Sequence, residues 1–182
     1  MNNFFLIFFL FLELIILIFL NFYLISLFVS AFYGSPYVPT KRDVVDKILK
    51  KIKPKKGQLF YELGCGDGRL IKKAVERYQV YGVGIDINPF FILFLKLSSM
   101  IRRRTNPKFI HQDILKADLK NVDYIYCFMM PNLLAKLRKK FDNELKENAI
   151  VISHGFKIPD WEKNLYYVLQ GKPFNTYFYK KR

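Results

Sequence analysis

Residues 59–69 read Leu-Phe-Tyr-Glu-Leu-Gly-Cys-Gly-Asp-Gly-Arg: an apolar strand, an acid near its end, then glycines at alternate positions. No other stretch restricts the fold so tightly. A strand that ends in glycines and passes straight into a helix lets backbone approach a ligand and turns the helix N-terminus toward it. The plainest alternative is a Gly-rich turn in any doubly wound α/β sheet. Spacing narrows the ligand. Dinucleotide-binding loops run G-x-G-x-x-G, whereas Gly64, Gly66 and Gly68 give G-x-G-x-G with Glu62 ahead of them.

Beyond the loop the chain keeps alternating. Leu70, Ile71, Ala74 and Val75 predict an amphipathic helix to about residue 78, and residues 80–86 a second buried strand ending in Asp86. An acid roughly 20 residues beyond such a loop accepts hydrogen bonds from ribose hydroxyls. Asp86 stands where that carboxylate must be. Asn88-Pro89 opens a very apolar helix over residues 90–102, whose Phe and Leu side chains are expected in the core rather than against a ligand. Further strands are expected over 108–112, ending at Asp113 with His111 pointing inward, over 122–128 and over 149–153, with a helix from Pro131 to about 145. A closing pair, 165–169 and 175–180, turns at Gly171-Lys172-Pro173. A mostly parallel sheet with an antiparallel edge is physically reasonable.

With Glu62, the glycines and Asp86 in place, the chain resembles the class I S-adenosylmethionine (AdoMet) methyltransferases. The resemblance implies a seven-stranded Rossmann-like α/β sheet with an antiparallel C-terminal hairpin, and AdoMet as cofactor. It implies cofactor contacts from Glu62, Gly64, Cys65, Gly66, Gly68, Asp86, Ile87 and Gln112, with Asp113 accepting from the adenine amino group and the Ile114 amide meeting a ring nitrogen. Methyltransferases acting on planar nitrogens commonly carry an acid or Asn, then Pro-Pro and an aromatic, after the fourth strand. This chain has Cys127-Phe128-Met129-Met130-Pro131-Asn132 instead, which argues against a nucleobase amine or planar amide and suits an aliphatic stem.

The N-terminus sets a second constraint. From Phe4 to Phe32 there is no basic residue and Glu13 is the single charge. A spanning helix needs about 20 apolar residues, so the run exceeds a bilayer's need and tilt or an interfacial portion must absorb the rest. A cleaved signal peptide, with Ser30-Ala31 at a cut site, is the competing reading. It fits less well, because signal peptides have a basic start and an apolar stretch of about 7–15 residues. Glu13 is either a functional acid inside the membrane or, if the span is 14–32, a residue at its outer interface; the second is favoured. All 30 Lys and Arg follow the apolar run, so the positive-inside rule places the domain in the cytoplasm. Cytosolic AdoMet agrees with that side.

Thirty basic against 15 acidic residues give a net charge of +15, a balance that favours acidic partners such as nucleic acid, anionic lipid or an acidic protein face. Solvated lysine runs and a biased genome explain it as readily. Cys65 and Cys127 offer neither a disulfide framework nor a metal-site spacing, and no metal is expected. The residues after the apolar run, roughly 150 in number, suit one domain, dividing the chain into an anchor over 1–33 and a methyltransferase domain over 34–182.

Between the two lies Gly34-Ser35-Pro36-Tyr37-Val38-Pro39-Thr40. Its prolines favour extended backbone at Ser35 and Val38. Thr40 with Asp43 reads as a capping box before a helix over 41–52. Tyr37 is either a hydrophobic staple or interfacial anchor, or a substrate-facing residue. The segment Pro36-Tyr37-Val38-Pro39-Thr40, the glycine motif, and Ser153-His154-Gly155-Phe156 before Trp161 together resemble a family of protein-lysine methyltransferases. That family includes a soluble archaeal enzyme and membrane-anchored mitochondrial enzymes acting on the ADP/ATP translocase and the c-type ring protein of the ATP synthase. The resemblance runs from about Pro36 to Trp161. Asp86 stands where relatives often have Glu, and the C-terminal strands are short.

The resemblance implies methyl transfer to a lysine ε-amine of a protein, expected to be membrane-associated, with the N-terminal helix contacting lipid. Lysine has a pKa of about 10.4, so the amine must be deprotonated, and desolvation in an apolar channel favours that. Tyr37 is placed at the channel, Thr40 at the methionine portion, and His154 is a second catalytic candidate that a structural hydrogen bond explains equally well. Three other readings stand beside this one: an RNA methyltransferase, a lipid or quinone methyltransferase, and a tethered AdoMet sensor without turnover.

Overall fold

A computed structural model describes residues 2–32, 37–101 and 107–182. Pro36 and the expected extended Ser35 lie outside these. After α1 (Asn2–Phe32) and α2 (Arg42–Ile52) the chain alternates β1 (Leu59–Leu63), α3 (Arg69–Tyr78), β2 (Tyr81–Asp86), α4 (Pro89–Ile101), β3 (Lys108–His111), β4 (Tyr124–Cys127), α5 (Pro131–Glu144) and β5 (Ile150–His154), closing with β6 (Leu165–Leu169) and β7 (Thr176–Lys180). The strands form one sheet in the order β3-β2-β1-β4-β5-β7-β6. β1 to β5 run parallel, and β7 is antiparallel to both β5 and β6. The expected fold class stands.

Period-two alternation sends side chains to two cores, one on each sheet face. Leu63, Ile125, Cys127 and Val151 join Leu134, Leu137, Phe141 and Trp161 on one side. Phe60, Tyr124, Tyr126, Ile152 and Phe178 join α2, α3 and α4 residues on the other. Helix α3 buries Leu70, Ile71, Ala74 and Val75, the stripe legible in its sequence. The order reverses at β1, whose neighbours are β2 and β4. In open α/β sheets ligands bind outside the carboxyl ends of the strands at such a point.

Several local expectations are corrected. No capping box forms at α2: its N-cap is Lys41, without a side-chain cap bond, because the Thr40 hydroxyl pairs with the Tyr126 hydroxyl at 2.6 Å. His111 is exposed rather than inward, and its Nε2 meets the Ile87 carbonyl oxygen at 2.9 Å. Helix α4 is not uniformly core. Ile92 and Leu95 are buried, but Leu93, Phe94, Leu97 and Met100 are exposed, since one helix face alone reaches the sheet.

Helix α1 continues without a break for 31 residues. Its stretch Phe4–Ile25 is long and apolar enough to cross a membrane, and none of it is buried by the rest of the chain. Glu13 lies inside that stretch. The amide of Asn21 donates to the Leu17 carbonyl at 2.9 Å, so this polar side chain is satisfied by its own helix.

Candidate active site

At the switch point a cavity of about 540 Å³ opens between the ends of β1, β2, β3 and β4 and the 37–40 segment. Four acids line it, Glu62, Asp67, Asp86 and Asp113, against Arg69 and Lys136. In a chain of net charge +15, that concentration of carboxylates makes the cavity complementary to a cationic ligand.

Each acid is held by backbone. Glu62 is buried near the end of β1, and its Oε2 accepts from the Ile71 amide in the first turn of α3 at 3.0 Å. Burial pushes its pKa up to about 8, with Asp67 and Asp86 adding to the rise and the Ile71 amide opposing it. Asp86, also buried, accepts from the Gly66 amide at 2.8 Å through Oδ2 and from the Asn88 amide at 2.8 Å through Oδ1. Burial raises its pKa against the pull of these amides. Asp113 Oδ1 accepts from the Leu115 amide at 2.9 Å, capping a short 3-10 turn at Ile114–Lys116. Every carboxylate oxygen has two acceptor sites, so these bonds fix the acids without exhausting them. They can take ribose hydroxyls at Asp86 and an exocyclic amine at Asp113.

The glycine loop works by close approach. Gly66 has φ +49, and a Cβ there would sit 2.6 Å from Cε2 of Tyr37. Tyr37 thus lies over the loop, its ring 4.6 Å from that of Phe91. Burial and neighbouring Asp67 raise the Tyr37 pKa. A guanidinium ties this segment down: Arg69 Nη1 donates to the Thr40 carbonyl at 3.0 Å, and Nη2 to Asp67 Oδ2 at 2.6 Å. Burial alone would raise the Asp67 pKa, but Arg69 holds it below the ordinary value. Gly68 serves differently. It precedes α3 at φ +67, and a Cβ there would come within 3.0 Å of Phe109, so its lack of a side chain serves helix packing.

Of the residues implied from sequence, the structure brings Tyr37, Thr40, Glu62, Gly64, Cys65, Gly66, Asp86, Ile87, Asp113 and Ile114 to the cavity wall. Gly68, Gln112 and His154 are not on it. The side chain of Gln112 turns to the Lys116 carbonyl at 3.1 Å. His154 is buried behind Phe128, its ring 4.7 Å away, with Nδ1 against Thr176 Oγ1 at 2.8 Å. Burial pushes its pKa down to about 4. Burial also holds the Cys65 thiol well above its usual value, and protonated.

Residues that sequence reasoning passed over also line the cavity: Asp67, Arg69, Phe91, Tyr126, Met129 and Lys136. Asp67 and Arg69 carried a signal, since they interleave the last glycine. Tyr126 did not, because a Tyr on a buried strand reads as core. Among the described residues no group of His, Cys, Asp or Glu could hold a metal.

The reversed strand order, the cavity at the switch point, and acids at the ends of β1, β2 and β3 define a class I AdoMet-dependent methyltransferase. Among solved structures, an RNA methyltransferase from Salinibacter ruber in complex with S-adenosyl-L-homocysteine is 26% identical, with a TM-score of 0.72 over 79% of this chain and 93% of that one. AdoMet is the cofactor, and the acid-lined cavity fits its cationic sulfonium and amino groups. The chain belongs to the ANTKMT methyltransferase domain family, whose pattern matches residues 62–164. It is similar to a protein-lysine N-methyltransferase of Saccharolobus islandicus, 31% identical over 129 residues, 69% of this chain and 80% of that protein. It is also similar to a human lysine N-methyltransferase named for the c-type component of the ATP synthase, 26% identical over 127 residues, 69% of this chain and 54% of that one. The chain therefore matches only about half the length of the human relative.

Proposed function

We propose that the chain is a membrane-anchored protein-lysine methyltransferase, with residues 1–33 as anchor and 34–182 as catalytic domain. Likeness to proteins named as lysine N-methyltransferases carries this reading most directly. The cavity chemistry supports it. AdoMet held in this cavity would supply an electrophilic sulfonium methyl for a neutral amine, with the thioether as leaving group.

The chain's residues divide into holding and admitting. Glu62 and Asp86 hold the cofactor through its amino acid and ribose portions. Asp113, Ile87 and the Ile114 amide flank the adenine, and Thr40 meets the methionine portion. The acceptor enters past Tyr37, Phe91, Phe128 and Met129. These aromatic and thioether surfaces accept an aliphatic stem and desolvate the amine, favouring its neutral form. No general base is assigned. Catalysis is positional, the amine being brought close and in line with the methyl.

The name of the human relative concerns a component of the ATP synthase. Such a substrate matches an enzyme tethered through α1, because tethering raises effective concentration at the membrane. The acceptor is proposed to be a membrane protein with a lysine on the cytoplasmic side. A second reading has its own observation: the similar Salinibacter structure is described as an RNA methyltransferase, and the charge of +15 would suit RNA. Native membranes incubated with the full chain and methyl-labelled AdoMet decide between them. Methyl-lysine in acid hydrolysates of membrane protein is expected, whereas label confined to RNA or lipid would sink the lysine reading.

A further inference from the structure

We infer that the outer face of α4 is a second, non-spanning membrane contact that lies in the bilayer interface beside α1. The inference rests on the reading of α1 as an anchor and extends it to the catalytic domain.

Helix α4 buries Ile92 and Leu95 and turns the opposite way with Leu93 (56% exposed), Phe94 (65%), Leu97 (53%) and Met100 (81%). With Phe90, these fall at helical i, i+3, i+4 and i+7 spacing, so they form one apolar stripe. Its hydroxyls make no demand on water: Ser98 and Ser99 donate back to the Leu95 carbonyl at 2.9 and 2.7 Å. An isolated exposed Leu means little. A contiguous apolar stripe signals an interaction surface.

The occupant follows from α1. Phe22 of α1 meets Phe90 of α4 with ring centroids 5.6 Å apart. Helix α4 belongs to the folded domain, whose charged surface stays in water, so this contact limits the crossing to the part of α1 before it, and the 14–32 span, which would carry Phe22 into mid-bilayer, gives way. The stretch from Phe4 to Phe22 is about 28 Å long at about 1.5 Å per residue, enough for a hydrocarbon core of about 30 Å, and it leaves Phe22 near the hydrocarbon edge. Phe90 must then sit at the same depth, and the stripe starting from it meets the lipid that surrounds α1. Charge agrees. The exposed Lys96 is the helix's one charged residue, and Arg102-Arg103-Arg104 follow it in sequence, the chemistry that seats an interfacial helix on anionic headgroups. Phe91 of the same helix touches Tyr37, so the seated domain presents its acceptor side to the membrane surface.

The test uses the full chain in phosphatidylcholine–phosphatidylglycerol vesicles, with an environment-sensitive fluorophore on single cysteines: Leu14→Cys in α1, Phe94→Cys and Leu97→Cys in α4, and Tyr81→Cys at the far end of β2. The unsubstituted chain sets the background from buried Cys65 and Cys127, and AdoMet binding verifies each fold. The α4 labels are expected to be quenched by shallow spin-labelled lipid and to lose quenching by aqueous iodide, while the Tyr81 position responds to iodide alone. Iodide quenching at both α4 positions equal to that at Tyr81, with the Leu14 label still quenched by deep lipid, overturns the inference and leaves the anchor standing. Protection of the α4 labels from both quenchers overturns it too, since protein, such as a second copy, then covers the face. Iodide quenching at Leu14 defeats the anchor reading and this inference with it.

Discussion

The Gly66 amide donates to Asp86 Oδ2 at 2.8 Å, so the glycine loop after β1 and the acid ending β2 form one unit. Loop geometry and ribose recognition are thereby coupled: the carboxylate proposed to hold the ribose also fixes the turn that admits the cofactor.

Asp86→Ala is expected to abolish measurable AdoMet binding in calorimetry. The charge-assisted hydrogen bonds from the Gly66 and Asn88 amides are lost, each worth about 1.5–3 kcal/mol, together with those proposed to the ribose hydroxyls. A melting curve separates local loss from unfolding. A folded variant with retained affinity removes the ribose assignment.

Glu62 gives a pH test. Its folded pKa of about 8 lies above the ordinary 4.5, with burial as the main cause, so in that window the folded state keeps a proton that the unfolded chain has released. Its contribution to stability is full below the unfolded value and is lost as pH rises through the folded one. Glu62→Gln keeps an acceptor for the Ile71 amide and removes this titration. Its Tm should gain on the parent's as pH rises from the ordinary 4.5 to about 8 and the gap should level off above that, while AdoMet affinity falls. Parallel Tm curves would show that Glu62 is not held protonated.

Much of this site was legible because acids and glycines at strand ends are signals of position. Glu62, Gly66, Asp86 and Asp113 needed only the alternation of strands to be placed. What stayed hidden depended on which of two partners a side chain chooses. Thr40 has the pattern of a helix cap, yet its hydroxyl meets Tyr126 from a strand far along the chain. Helix α4 reads as core because composition does not tell a face packed on the sheet from one facing elsewhere. His154 reads as catalytic or structural with equal ease, and only the packing of Phe128 against its ring separates the two.

Gly66 and Tyr37 should behave as a coupled pair. Gly66→Ala places a methyl against the Tyr37 ring and puts an L-residue at positive φ, which alone costs about 1–2 kcal/mol. Tyr37→Ala opens the space the methyl needs. The double variant should therefore bind AdoMet less badly than the two single losses added together, as a double-mutant cycle in calorimetry would read. Strict additivity would mean that the ring does not lie over the loop when the cofactor is bound.

Arg69→Met is expected to raise KM for AdoMet more than it lowers kcat. The guanidinium joins the Thr40 carbonyl to Asp67, so its removal frees the 37–40 segment and leaves the Asp67 charge unpaired at the cavity edge. Loss of hydrogen bonds to a charged group costs about 1.5–3 kcal/mol. Arg69→Lys keeps the charge but not the fork, and should recover little if geometry is what matters. Full recovery by Lys would instead assign the effect to charge alone.

His154 should prove structural. Burial holds its pKa near 4, below the ordinary 6.5, so it is neutral at pH 7 and its Nδ1 stays with Thr176 Oγ1. The unfolded chain takes up a proton that the folded one refuses. This contribution to stability is therefore present above about pH 6.5 and is lost as pH falls toward 4. His154→Gln should lower Tm at neutral pH by the loss of one buried contact worth about 1 kcal/mol, and the penalty should shrink in acid, where the parent is itself losing stability. The pH profile of kcat should keep its shape, since a group screened from the cavity by Phe128 takes no proton from the acceptor amine. A folded His154→Gln variant whose acid limb moves, or whose turnover collapses while AdoMet still binds, would return His154 to the chemistry.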